Sequence, residues 1–465
     1  MKTKILSILL TVAMLVAMVP MIAVSAVEPT EPTGTVYEVT DEASIKEFLA
    51  DPEKNKTGNT MKLTQDLSYT PPSNGGWSGG YGIWDGCKTD IDGNGHTVTL
   101  GGGDYYGAVL FGFQGRSEKL TMKNLAIVMD VDEEGNQAVA TRATSQYISL
   151  FGQLNSASPA AIPSGSEINV ENCYFDVNFA VTSTDKNVGA GILVARVQPD
   201  KTMTITAKNT YFKANFTTGS GAGATGALYG RRWDTSPDTM SEVEVTVENC
   251  VFDVTSNAVK KGAVVGELIE VPKEKDSEEY VIADGQLSLT ANGTNLIYGG
   301  EGKVSTVANK GTFEGFTTVA AGDNTVTTVK GYQTTTAVDN KFDLRLVGLV
   351  ELGDTALTDY SKVGFVVVAN YANINTKCTA AASNKVYNSI TENTATSTNA
   401  LTATELGGDY IYALAIKNIP ANADVTFTVT PYYVAADGTT VVYGENTVFT
   451  VDVSELPTDT LDAAA

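Results

Sequence analysis

The chain has 465 residues, a formal net charge of −23, one His and four Cys. Negative charge spread along the whole chain disfavours an anionic polymer such as nucleic acid as a partner, and a single His leaves zinc chemistry almost without ligands. The length exceeds what one core usually organises, so two domains or a long solenoid are expected.

Residues 1–26 place Lys2 and Lys4 ahead of the apolar run ILSILLTVAMLVAMVPMIAV, which ends in Val24-Ser25-Ala26. This is the pattern of a secretory signal peptide, with cleavage expected after Ala26. No later stretch approaches the ~20 apolar residues of a membrane span, so the processed chain is expected outside the cell without membrane insertion. Next, TDEASIKEFLA reads as a helix with Thr40 or Asp41 as N-cap, able to cover the open end of a solenoid. MKLTQDLSY and TDIDGNGHTVTL then read as the first coil. Between them, PPSNGGWSGGYGIWDG sets Trp77, Tyr81 and Trp84 among glycines. Exposed rings there would offer flat apolar faces to sugars; packing over the solenoid end is the plainer alternative.

Four segments align on an Asn: LTMKNLAIVM (Asn124), INVENCYFDV (Asn172), ITAKNTYFKA (Asn209) and VEVTVENCVFDV (Asn249). Spacings of 48, 37 and 40 residues lie in the range of solenoid repeats, and apolar residues alternate with polar ones as in strands. Three inward columns follow: Leu120, Ile168, Ile205, Val245; Met122, Val170, Ala207, Val247; and Ile127, Phe175, Phe212, Phe252. The outward columns Lys123, Glu171, Lys208, Glu248 and Asp176, Lys213, Asp253 alternate in sign. Stacking in parallel at ~4.8 Å would set each charge beside its opposite. A second string precedes each Asn block: AVLFG, ISLFG, GILVA, GALYG and GAVVG. Each repeat is therefore expected to hold three short strands, with the Asn in a left-handed bend between the last two. Beyond Gly266 the pattern decays and no last coil is assigned.

Three strands per coil, an Asn at one bend, stacked interior aromatics and the opening phrase IDGNGHTV resemble the right-handed parallel β-helix of the pectin-lyase-like superfamily. The Gly-bounded strings also resemble short repeats of bacterial surface proteins. The expected fold is thus all-β: a parallel β-helix with a helical cap over 27–325, an antiparallel, Ig-like β-sandwich over 326–455 and a polar tail over 456–465. The second domain rests on spaced strands such as KFDLRLVGLVEL, KVGFVVVANY and ADVTFTVTPYYVA, separated by turns such as Asp437-Gly438. Its strings FDLRLVG, YSKVGFVV and TFTVTPYYVAADGTTVVYGE resemble a module appended to secreted and cell-surface proteins of clostridial bacteria.

Three further places carry candidate chemistry. In DVDEEGNQ, Asp130, Asp132 and Glu134 occupy alternate positions as in the first half of a calcium loop, but Thr141 stands where the twelfth-position acid belongs. Ca2+ is the one cofactor such a loop would hold, and a solvated acidic loop is the simpler reading. Arg231, Arg232 and Trp233 follow GALYG and Arg196 follows GILVA. If those strands stack, Arg196 and Arg231 become neighbours able to receive a carboxylated sugar; pairing with Asp234 and Asp238 is the alternative. Tyr174 and Tyr211 share an outward column as a possible sugar platform. Cys173 and Cys250 fall two coils apart, roughly 10 Å, beyond the ~7 Å a disulfide allows, and are expected as buried thiols.

The function expected from these features is that of a secreted, non-catalytic surface or extracellular protein binding glycan or a surface protein through β-helix loops. The alternative is a polysaccharide lyase or glycoside hydrolase with Arg196, Arg231 and the acidic loop at Asp130 as first suspects. The alternating lysines remove the like-charge pairing that would raise a catalytic carboxyl, which weighs against an enzyme.

Overall fold

The computed structural model describes residues 22–25, 34–70, 82–105, 108–111, 119–142, 146–154, 164–184, 188–197, 202–219, 223–232, 242–268, 270–272, 280–282, 286–298, 303–305, 313–320, 322–335, 337–356, 359–370, 376–381 and 408–456. The protein is all-β and falls into two compact units, Thr30–Thr318 and Val319–Ala465, the second also taking in Met1–Pro29. Among the described residues no helix is long and apolar enough to cross a membrane.

The first unit is a stack of parallel coils. Strands ahead of the Asn bend pair in the order Lys119–Met129, Ser166–Val181, Thr202–Lys208, Glu242–Glu248 and Leu287–Asn292. Strands after it pair in the order Ser166–Val181, Tyr211–Thr218, Val251–Ser256, Asn295–Tyr298 and Phe316–Thr318. The register is the one the columns require: Ile168 lies beside Leu120 and Ile205, and Phe212 beside Phe175 and Phe252. The rings stack at 5.3 and 5.1 Å, near the strand spacing, so the phenylalanines of three successive coils form one interior column. The stack runs past Gly266 to Thr318, further than the repeat can be followed in sequence.

Each bend rests on a residue with left-handed backbone: Asn124, Asn172, Asn209 and Asn249 have φ between 48° and 52°, and Gly293 takes the next place with φ 66°. The amides bond along the edge, Asn172 Nδ2 donating to Asn124 Oδ1 at 3.1 Å, Asn209 to Asn172 at 3.2 Å and Asn249 to Asn209 at 3.4 Å. Asn124 donates in turn to Asp92 Oδ1 at 3.0 Å, anchoring the row on the first coil, where Asn94 adopts φ 54°.

The second string corrects the expected strand count. Gly189–Gly191 and Val194–Val197 are two strands in different sheets, joined by a turn at Ile192 and Leu193, so a coil has four strands. Glycine permits the reversal: a Cβ on Gly191 would lie 2.2 Å from Val194 O, and one on Gly230 would lie 2.2 Å from Ala190 O of the preceding coil. Side chains at the turns, including Phe151, Leu193, Leu228 and Val264, are fully buried.

Helix Glu42–Ala50 is capped by Asp41, not Thr40; Asp41 and Ser44 form a reciprocal capping box. Its buried Ile45 and Phe48 join the solenoid core. The second unit has two antiparallel sheets, one of Thr327–Thr334, Lys341–Val350 and Tyr410–Pro420, the other of Thr376–Ala381, Tyr360–Ala369, Val425–Ala435, Val441–Tyr443 and Thr447–Val451. Phe365 of one sheet stacks on Tyr412 of the other at 4.6 Å inside a shared core. Ile22–Ser25 adds a strand to the first sheet, parallel to Leu414–Lys417.

Candidate functional site

Two clusters of charged and aromatic side chains stand on the solenoid. The first follows the second string. Residues directly after it, Gln153, Arg196, Arg231 and Glu267, occupy successive coils, and Arg196 is in register with both Gln153 and Arg231. The expected neighbourhood of the two arginines is therefore present. Both are buried, Arg196 at 4% and Arg231 at 8% exposure, where a surface-facing pair would stand open to a ligand. Arg196 donates to Gln146 Oε1 at 2.8 Å and lies 5.0 Å from the Tyr147 ring centre. Arg231 pairs with Glu267 at 3.4 Å, and Glu267 also takes Lys260. Glu267, Gln146 and Tyr147 were not among the expected site residues. Glu267 was findable, because it follows GAVVG as Arg231 follows GALYG. Asp234, Asp238 and Trp233 lie outside the described residues, as do Trp77 and Tyr81; of Arg232 only the backbone is described, in register with Val197.

The second cluster lies on the outward side of the strands after the Asn bend. Asp176, Lys213 and Asp253 form a row, Lys213 donating to Asp176 Oδ2 at 2.7 Å. Gln137 reaches the same Asp176 at 2.8 Å, and the Tyr211 hydroxyl donates to Asp253 at 3.1 Å. Burial raises the Asp253 carboxyl above the ordinary carboxylate range and Asp176 adds to this, while Tyr211 and Lys213 oppose it. Tyr174 and Tyr211 do stack, at 5.3 Å, but they are buried at 6% and 1% exposure. The exposed platform is thus corrected: the pair is covered, and burial raises both phenols.

Trp84 is likewise no exposed ring. It is fully buried and packs on Phe111 at 5.2 Å, continuing to Phe151 at 4.3 Å. Its backbone N donates to Leu110 O, which makes it the first rung of the turn column and not part of a surface loop. The acidic loop is a hairpin closed by a Val131–Gln137 bridge, with Gly135 at φ 85°. Asp132 accepts from the Glu134 and Asn136 backbone, and the Asn136 bond above all lowers its pKa. Among the described residues no three His, Cys, Asp or Glu side chains gather as a metal site, so Asp130, Asp132 and Glu134 do not converge. Cys173 and Cys250 are buried free thiols, pushed up to about 12 by burial. His96 is buried, its Nδ1 3.1 Å from Asp66 Oδ1.

Fold and clusters together define a class: an all-β chain built from a parallel solenoid with a buried charge column, and an antiparallel unit. No family model matches this chain, and no curated protein matches it. Among solved structures it is similar to a chain from Bacteroides ovatus described as a "putative immunoglobulin A1 protease", at 13% identity, covering 63% of this chain and 82% of that one, with a TM-score of 0.31. A likeness of that size carries no argument about activity.

Proposed function

We propose that the chain is a secreted, non-catalytic protein of the cell surface or extracellular space that holds a glycan or protein partner on loops of its β-helix. The reading includes the right-handed, pectin-lyase-like form of that helix and an Ig-like form of the second unit. Its main support is where the chain leaves the stack. Residues 155–163, 198–201, 233–241 and 269–286 each connect the segment after the second string to the next strand ahead of the Asn bend. The described strands ahead of three of these segments, Gln153–Leu154, Val194–Val197 and Tyr229–Arg232, pair side by side in one parallel sheet, and the segments that follow differ in sequence, as binding loops on a shared scaffold do. One of them contains Trp233. The test is retention of the protein on a glycan array and its loss in Trp77→Ala and Trp233→Ala. If binding is found and Trp233→Ala leaves it unchanged, the assignment to these four segments is wrong.

A second reading, a polysaccharide lyase or glycoside hydrolase, is favoured by the register of Arg196 with Arg231. Incubation with polygalacturonate and related polymers, following unsaturated uronate absorbance and new reducing ends, separates the two. Product formation abolished by Arg231→Ala would end the non-catalytic reading.

A further inference from the structure

Among the described residues, Tyr410–Pro420 pairs on one side with Lys341–Val350 and on the other with Ile22–Ser25. The second pairing is parallel, with Ile22 beside Leu414, Ala23 beside Ala415, Val24 beside Ile416 and Ser25 beside Lys417. Leu414 and Ile416 are buried in the core of the unit. The strand on this edge therefore belongs to the very segment that cleavage after Ala26 would remove. A strand that loses its neighbour presents a row of unpaired N–H and C=O groups, a template for another extended chain. Tyr410–Pro420 is eleven residues long, and Lys417 is its only charged side chain.

We infer that in the processed protein this edge receives an extended segment of a partner, aliphatic at alternate positions and parallel to Leu414–Lys417, in the place Ile22–Ser25 holds in the unprocessed chain. The inference rests on the secreted reading, because processing is what vacates the edge. The occupant's chemistry follows from the segment already seated: main-chain bonds supply affinity, and aliphatic residues in register with Leu414 and Ile416 supply selectivity.

The experiment uses the protein secreted and processed by its own host, its N-terminus read by mass spectrometry, and a synthetic peptide of residues 20–27. Three peptide variants accompany it: N-methylated at Ala23, N-methylated at Val24, and Ile22→Asp/Val24→Asp. In a parallel pair alternate N–H groups face the neighbour, so one N-methyl should weaken binding at least about tenfold and the other should spare it. The double Asp peptide should lose binding. Amide exchange at those residues of 414–417 whose N–H points away from Lys341–Val350 should be fast in the processed protein and slow once the peptide is added. Retention of residues 22–25 in the secreted protein overturns the inference through its premise, whatever the array shows. Slow exchange at those same outward-pointing amides before peptide is added, in a monomer or a dimer, means that this chain covers its own edge and also overturns it. So does peptide binding indifferent to both N-methyl groups.

Discussion

Replacing Asn209 tests the ladder that ties the coils together. Its side chain donates to Asn172 at 3.2 Å and accepts from Asn249 at 3.4 Å, and its backbone sits at φ 48°. Asn209→Gly keeps the left-handed bend and removes both side-chain bonds, leaving the buried Asn172 amide and the half-buried Asn249 amide each one partner short. At ~1 kcal/mol net per bond, plus part of the desolvation penalty of the abandoned groups, the expected loss is about 2–4 kcal/mol. Asn209→Ala removes the same bonds and adds the ~1–2 kcal/mol that a Cβ costs in the left-handed region. Alanine should therefore be the worse substitution by about 1 kcal/mol, the reverse of the order in an ordinary strand, where glycine is the poorer residue. Against a typical total of about 5–15 kcal/mol, either loss is readily measured. All three Trp fall between residues 77 and 233, inside the solenoid unit, and Trp84 is buried on Phe111. Urea denaturation followed by Trp fluorescence therefore reports the solenoid without the second unit. If glycine costs less than ~0.5 kcal/mol, the ladder does not hold the coils; if alanine matches glycine, backbone strain at the bend is not what selects Asn.

Asp253 should make the solenoid's stability fall with rising pH. Its folded carboxyl is weakened by burial, so its contribution is fully present below the unfolded value and is lost as pH rises through the higher folded value. Asp253→Asn should flatten that part of a urea-midpoint profile, and an unchanged slope would count against the assignment. Cys173 and Cys250, pushed up to about 12, should resist alkylation at pH 8 in the native protein and react on unfolding; prompt native labelling at either would contradict their burial. Gly230→Ala sets a methyl 2.2 Å from the Ala190 carbonyl oxygen of the previous coil, so backbone must move. A loss of at least about 2 kcal/mol by the same fluorescence assay is expected, and a neutral result would mean that the coils are further apart than described.

Sequence alone carried the repeat, the inward columns, the charge register and the bend residue, because all of these are local or recur at a fixed offset. A strand's two-residue period sorts faces unaided, and an Asn forced into left-handed backbone is conspicuous when it returns every 37 to 48 residues. The paired register of Arg196 with Arg231 came from the same logic. What periodicity could not supply was depth. Tyr174 and Tyr211 point away from the core and are buried all the same, because exposure depends on what lies over a face and not on which face it is. Trp84 among glycines reads as a loop tip until the turn column is assembled around it and Phe111 closes on its ring. The reversal inside the second string depends on two backbones meeting at Gly191, a contact with no spacing signature of its own. Inward and outward are written in the alternation of a strand; covered and open are settled only when separate parts of the chain meet.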